Sequence, residues 1–362
     1  MPSIEELIRT WDGEFVISAF DAPSGAWIFI AIHDRTLGMA LGGCRLSIYP
    51  TPGDGLRDAM RLSQGMTFKW AAIDFPFGGG KTVLAAARPL SPAAREDLLL
   101  RLGDMIESLN GLYGVGVDLG TTPDDMSVIG RRTRWVFGQP SANGRGDPGP
   151  YTAMGVHAGI RAACKHVFGA PTVAGATVLL QGVGGVGRPL ARRLAADGAA
   201  LLLSDALPDR ANALASELSA RVVPPERVYG TDCDIFAPCA IGGVLNERSI
   251  EQLRCRIVAG SANNQLEKDS SAERLHERGI LYAPDFVINA GGAIAHSSLE
   301  VLGWTEAQAA ERVERIYDTL AEILLEAARA DESPLHEAVR RADRNLERGR
   351  TARREKESLK PA

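Results

Sequence analysis

The feature that constrains this chain most is a glycine run between two apolar segments, Gln181-Gly182-Val183-Gly184-Gly185-Val186-Gly187. Thr177-Val178-Leu179-Leu180 before it reads as a strand, and Arg188 to Asp197 after it as a helix. A second apolar strand, Ala200-Leu201-Leu202-Leu203, follows and ends in Ser204-Asp205. G-x-G-x-x-G in that strand, turn and helix context is a dinucleotide-binding fingerprint. Gly182 allows the tight turn, Gly184 lets a pyrophosphate approach the backbone, and Gly187 lets helix and strand pack closely. Gly185 and Val186 complete the loop, and the helix amino terminus favours the anion. Asp205 is placed to accept from both adenosine ribose hydroxyls and to repel a 2′-phosphate, so NAD is predicted over NADP, with Arg210 close by as the opposing signal. The competing reading is a glycine-rich turn in an α/β domain that binds no dinucleotide.

Further along, Cys233 to Ala240 and Arg256 to Gly260 are short apolar strands ending in turn residues, as in a doubly wound parallel sheet. Ligands collect at the carboxyl ends of such strands, which is where Asn263 and Asn289 fall. Their amides can orient a carboxamide or an amine; the alternative is ordinary turn chemistry. Thr152, at the start of the preceding helix, is a further candidate on the cofactor side. The stretch from Gly138 to Pro150 is dense in Gly, Pro, Asn and Asp and marks a domain boundary and hinge.

The first part of the chain carries a second chemical signal. Gly42 to Lys81 holds two lysines, Lys69 and Lys81, with a mostly apolar run between them and Gly78, Gly79 and Gly80 before the second. Met60, Leu62, Met66 and Phe68 predict a buried helix face, with Lys69 near the helix end. Lys81 is predicted at a turn into a strand, Thr82-Val83-Leu84, the glycines supplying backbone freedom. A solvated lysine beside a plain turn is the alternative for each. Phe15-Val16-Ile17 and Trp27 to Ile32 read as strands about the turn at Asp21 to Gly25, and Ser91 to Leu109 as a helix capped by Ser91. Asp118 follows a strand-like segment and precedes turn residues; a local backbone-bonding role suits Asp124 and Asp125 better than Asp118.

Composition excludes some function classes. A net charge of -5 argues against a nucleic-acid partner. The acidic amino terminus and the lack of a long apolar run predict a cytoplasmic protein with no membrane association. The cysteines, Cys44, Cys164, Cys233, Cys239 and Cys255, form no C-x-x-C pair, and the histidines show no ligand spacing, so no metal is predicted. Thr305 to Ala330 reads as one amphipathic helix, Pro334 to Leu346 as another, and the charged end Arg348 to Lys360 as a frayed tail.

Taken together, these motifs resemble the NAD-dependent amino acid dehydrogenases acting on leucine, valine and phenylalanine, relatives of glutamate dehydrogenase. The resemblance rests on ordered blocks: GGCR at Gly42, RLSQGMTFK ending at Lys69, FGGGKTV around Lys81, DLGTTPDDM from Asp118 and GDPGPYTAMGV from Gly146. QGVGGVG from Gln181, DIFAPCAIGG from Asp234, AGSANNQ from Ala259 and YAPDFVINAGGAI from Tyr282 continue it. The opening WDGE and the RGILYAPDF to VLGW stretch are most similar to the phenylalanine branch.

The resemblance implies two α/β domains: a substrate and oligomerisation domain over 1–145, a Rossmann-like NAD domain over 146–330, and a C-terminal helix over 331–362 returning to the first. It implies a homo-oligomer, from dimer to octamer, and a cleft that closes about a reactive imine. Lys69 would bind the substrate carboxylate, and Lys81 would be general base on the attacking water, a role that burial and a second lysine favour by opposing the ammonium form. Asp118 would exchange protons with the amine and the carbinolamine. Gly42 and Gly43 would match a turn whose backbone lies against the substrate, Asn263 would lie near the nicotinamide and the amine, and Leu41, Met66, Gly116, Ala293 and His296 about the substrate side chain. Room at Gly116 and Ala293 favours phenylalanine or another bulky apolar amino acid, whereas His296 stands where an apolar residue is expected. No extra basic residue is evident for glutamate. The alternatives are another amino acid substrate (tryptophan, glutamate or a broad range), a 2-hydroxy acid dehydrogenase, or a non-catalytic NAD-binding protein.

Overall fold

A computed structural model describes residues 4–140 and 147–358. The chain forms two compact units, one up to Asp147 together with the chain from Ala342, the other Pro148–Arg341. Residues 141–146, within the predicted hinge and including Gly146 of the GDPGP block, lie outside the described residues.

The first unit opens with α1 (Ile4–Thr10) and an antiparallel hairpin, β1 (Phe15–Asp21) and β2 (Ala26–Asp34). β3 (Ala40–Ile48), α2 (Pro52–Ala72), β4 (Gly78–Ala86), α3 (Pro92–Ser108), β5 (Tyr113–Val117) and α4 (Pro123–Gly130) follow. The strands make one mixed sheet in the order β1-β2-β4-β3-β5. Alternation along β2 splits its side chains between two cores. Ile28, Ile30 and Ile32 pack with Leu98, Leu102 and Ile106 of α3, while Phe29 and Ala31 pack with Leu56, Ala59 and Met60 of α2. The cap residues explain the helix starts: Ser91 accepts from the Ala94 N–H, and Thr51 forms a capping box with Asp54 ahead of Pro52.

The second unit contains α5 (Gly149–Phe168), β6 (Thr177–Gln181), α6 (Gly187–Ala196), β7 (Ala200–Ser204), α7 (Pro208–Leu218), β8 (Arg221–Val222) and β9 (Ile235–Pro238). It continues with α8 (Glu247–Gln252), β10 (Ile257–Val258), α9 (Ser270–Glu277), β11 (Leu281–Tyr282), α10 (Asp285–Ile288) and α11 (Gly291–Glu300). Its sheet is parallel throughout, in the order β11-β10-β9-β6-β7-β8. Counted from β6, that is the 3-2-1-4-5-6 order of a dinucleotide-binding fold, with its reversal point between β6 and β9.

Four expectations need correction. Gly42 and Gly43 lie within β3, paired with Val115 and Gly116 of β5, rather than at a turn. Lys81 sits inside β4, not at a turn, and Gly78, Gly79 and Gly80 are strand residues without positive φ. Their role is close packing: a Cβ at Gly79 would lie 2.1 Å from Thr67 Oγ1 of α2, and one at Gly80 2.6 Å from the Tyr113 ring. The helix predicted from Thr305 to Ala330 is two, α12 (Glu306–Glu314) and α13 (Ile316–Ala330), broken at Arg315. The charged end is not frayed as far as it is described. α14 (Pro334–Ser358) stays helical, with Arg350 on Asp34 at 3.0 Å and the Asn345 amide donating to the Ala71 carbonyl at 2.7 Å.

Candidate active site

In the first unit the site is built on three neighbouring parallel strands, with β3 between β4 and β5. The register places Gly43 beside Gly116 on one side and, through the Leu41–Gly79 and Cys44–Thr82 pairs, beside Lys81 on the other. Lys81 therefore reaches across the central strand, and its Nζ meets Asp118 Oδ2 at 2.9 Å. Gly43 makes that possible. A Cβ there would stand 2.6 Å from the Asp118 Cβ and 3.2 Å from Lys81 Nζ. Gly42 is held just as closely, since a Cβ would lie 1.8 Å from the Gly80 carbonyl oxygen and 3.4 Å from Met66 Cγ.

Lys81 is buried, with 6% of its surface exposed, so its charge needs a nearby partner. The structure supplies a carboxylate as that partner. Burial pushes the Asp118 carboxyl up, but Lys81 and Arg45 together outweigh this and hold it at about 2. Asp118 is thus an anion at neutral pH, with its backbone fixed: its N–H donates to Thr121 Oγ1 at 3.1 Å, and Thr121 donates to the Cys44 carbonyl at 2.8 Å. Asp125, by contrast, caps α4 through Thr122 and pairs with Arg95 at 2.6 Å, the local role its position suggests.

Lys69 lies on the last turn of α2, half-buried. Leu41 is buried on β3, its carbonyl accepting from Trp70 Nε1 at 3.1 Å. At Gly116 a Cβ would approach nothing nearer than the Phe137 carbonyl oxygen at 3.7 Å, so the site has room there. Ala293 and His296 stand on α11 of the second unit.

In the second unit the fingerprint has the shape its glycines require. Gly182 has φ +100, and a Cβ on Gly187 would lie 2.0 Å from the Gly182 carbonyl oxygen. A Cβ at Gly184 or Gly185 would meet nothing within 4 Å, and α6 starts without a side-chain cap, with Val186 as its N-cap residue. A loop with open glycines leading into uncapped N–H groups fits a pyrophosphate. Asp205 closes this loop from β7: its two oxygens accept from the N–H groups of Val183 and Leu207, each at 2.9 Å.

Past β10, the Asn289 side chain donates to Asn263 Oδ1 at 2.7 Å and to the Ser261 carbonyl at 3.2 Å. Asn263 is exposed, so its Nδ2 is the group it can offer a ligand. Thr152, in the first turn of α5, donates to the Pro148 carbonyl at 2.9 Å, and a Cβ at Gly292 would lie 2.5 Å from its Oγ1.

Sequence reasoning missed Arg45. It pairs with Asp118 at 3.1 Å and with Asp58 at 3.0 Å. The signal was available, because Arg45 follows Gly43 by two positions on one strand and so shares its face.

Two family models match the chain: the Glu/Leu/Phe/Val dehydrogenase dimerisation domain over residues 25–141, and Glutamate/Leucine/Phenylalanine/Valine dehydrogenase over residues 207–353. The chain is 42% identical over 322 residues to the leucine dehydrogenase of Bacillus cereus, covering 89% of this chain and 87% of that one. It is 41% identical over 320 residues to the phenylalanine dehydrogenase of Bacillus thermotolerans, covering 87% and 83%. The crystal structure of L-tryptophan dehydrogenase from Nostoc punctiforme matches with a TM-score of 0.83 at 37% identity, over 96% of this chain and 100% of that one. The chain belongs to the glutamate/leucine/phenylalanine/valine dehydrogenase family.

Proposed function

We propose that this protein catalyses reversible, NAD-dependent oxidative deamination of an apolar L-amino acid, phenylalanine or a branched-chain one, to the 2-oxo acid and ammonia. The observation that carries this is the buried Lys81–Asp118 pair, formed across Gly43 at 2.9 Å in the unit that also carries Lys69. Lys69 holds the substrate carboxylate by charge. Asp118 takes and returns protons at the substrate nitrogen, while Lys81 removes a proton from the water that adds to the imine. Gly42 and Gly43 let Gly80 and the Lys81–Asp118 pair close in on the β3 backbone, which sets those groups against the substrate.

NAD, when bound, supplies the hydride acceptor. Gly182, Gly184, Gly185, Val186 and Gly187 hold its pyrophosphate. Asp205 keeps a free lone pair on each oxygen for the ribose hydroxyls, and its charge opposes a 2′-phosphate. Asn263, oriented by Asn289, and Thr152 serve the nicotinamide side. In the first unit Leu41, Met66 and Gly116 serve the substrate side chain, with Gly116 giving room for a large group, and in the second unit Ala293 and His296 are assigned to the same task. The protein works as a cytoplasmic homo-oligomer; the match to a dimerisation domain supports the assembly, which light scattering tests.

Initial rates with phenylalanine, leucine, valine, tryptophan and glutamate test the reaction and the pocket together. The expected result is NAD reduction that is fastest with an apolar amino acid, and an ammonia requirement in reverse. Fastest turnover with glutamate overturns the pocket argument. No turnover with any of them overturns the function.

A further inference from the structure

We infer that Arg45 is a positioning residue that shares Asp118 with Lys81, its guanidinium anchored from behind by Asp58, and that this sharing sets the pH at which Lys81 can act. The inference rests on the reading of Lys81 as the base. One carboxylate oxygen, Asp118 Oδ2, faces both Lys81 Nζ at 2.9 Å and Arg45 Nε at 3.1 Å. One guanidinium, that of Arg45, faces two carboxylates, through Nε to Asp118 and through Nη1 to Asp58 at 3.0 Å. Asp58 is held in turn by the Tyr49 hydroxyl at 2.7 Å and by Arg61 at 2.8 Å. The charges alternate from β4 across β3 to α2: Lys81, Asp118, Arg45, Asp58, Arg61.

Arg45 is not needed to hold the Asp118 backbone. Thr121 does that, and Arg95 adds a bond to the Gly120 carbonyl at 2.7 Å. What Arg45 acts on is the side chain and its charge. A carboxylate oxygen shared between two cations attracts each of them less than one that serves a single cation. Asp58 works the other way, drawing Arg45 away from Asp118. The planar fork of arginine serves both carboxylates at once, which a lysine ammonium at this position does less well.

Several other ionisable groups stand around the pair. Cys44 on β3 and Tyr113 on β5 are buried, and burial pushes both up, so they stay neutral. Arg95 and Asp125, from α3 and α4, pair with each other at 2.6 Å. From α2 come Lys69, Asp58 and Arg61. Arg45 is thus in bonding contact with the oxygen that Lys81 uses.

The test follows acetylation of Lys81 by acetic anhydride, quantified by mass spectrometry across pH, beside the deamination rate profile. It uses the full chain and its Arg45→Gln, Arg45→Lys and Asp58→Asn variants. In Arg45→Gln the labelling midpoint and the acid limb of the rate profile move up by about one pH unit. In Asp58→Asn both move down by less, and Arg45→Lys restores most of the original midpoint. A merely structural role lowers the rate without moving either midpoint, and unmoved midpoints in Arg45→Gln and Asp58→Asn overturn the inference. If Arg45→Gln does not fold, Asp58→Asn decides, because it leaves Arg45 in place. Shifted labelling midpoints in a protein with no turnover on any amino acid uphold the charge sharing and remove the proposed reaction instead.

Discussion

In the first unit a Cβ at Gly79 would lie 2.1 Å from Thr67 Oγ1, and one at Gly43 would lie 2.6 Å from the Asp118 Cβ. In the second unit, a Cβ at Gly184 or Gly185 would meet nothing within 4 Å. Both regions are glycine-rich, yet the first set lets the protein's own groups meet and the second leaves space for something else. The difference separates a glycine kept for packing from one kept for a ligand. It also gives the two sets different costs when they are replaced.

The contrast is broken most severely at Gly79. Gly79→Ala forces a Cβ to within 2.3 Å of the Thr67 backbone nitrogen and 2.4 Å of the Ser63 carbonyl oxygen, atoms that cannot rotate away. The expected cost is about 3 kcal/mol, a fall of roughly 4 °C in Tm by calorimetry for a chain of 362 residues. Gly43→Ala should act on chemistry instead, pushing Asp118 away from Lys81. We expect kcat to fall about 100-fold with NADH affinity within a factor of about two, measured by steady-state rates and fluorescence titration.

The charge held across Gly43 has its own signature in pH. Asp118 titrates at about 2 in the folded protein against 3.8 for an ordinary aspartate. Folded protein therefore binds fewer protons than unfolded in that window. The stability Asp118 contributes is complete above about pH 4 and is lost as pH falls through 2. Relative to Asp118→Asn, the pH-dependent part of the difference should shrink by about 2 kcal/mol over that range in urea unfolding. The mildest change is Gly184→Ala: stability within about 0.5 kcal/mol, and NADH Kd raised about tenfold, because the Cβ occupies space only a ligand uses.

How much of this was legible depends on how local each cause is. The fingerprint was readable because strand, turn and helix are consecutive, and Ser91 before Pro92 marks a helix start within a few residues. The three glycines before Lys81 favour a turn locally. They are a strand because β2 and β3 pair with β4 on both sides, contacts that no window of sequence contains. The Arg45–Asp58 link is of the same kind, joining a strand to the helix after it. The charged end of α14 reads as solvated until Asp34 is seen to receive Arg350. Periodicity through Arg315 hides the break between α12 and α13, since apolar positions continue on either side.

In the proposed reaction the first unit's buried lysine does the proton chemistry and the second unit's loop holds the dinucleotide. The Lys81→Ala variant tests it most directly, with turnover and NADH binding measured on one preparation. Deamination should be abolished, while NADH binds with unchanged affinity. Near-normal deamination by Lys81→Ala would contradict the account.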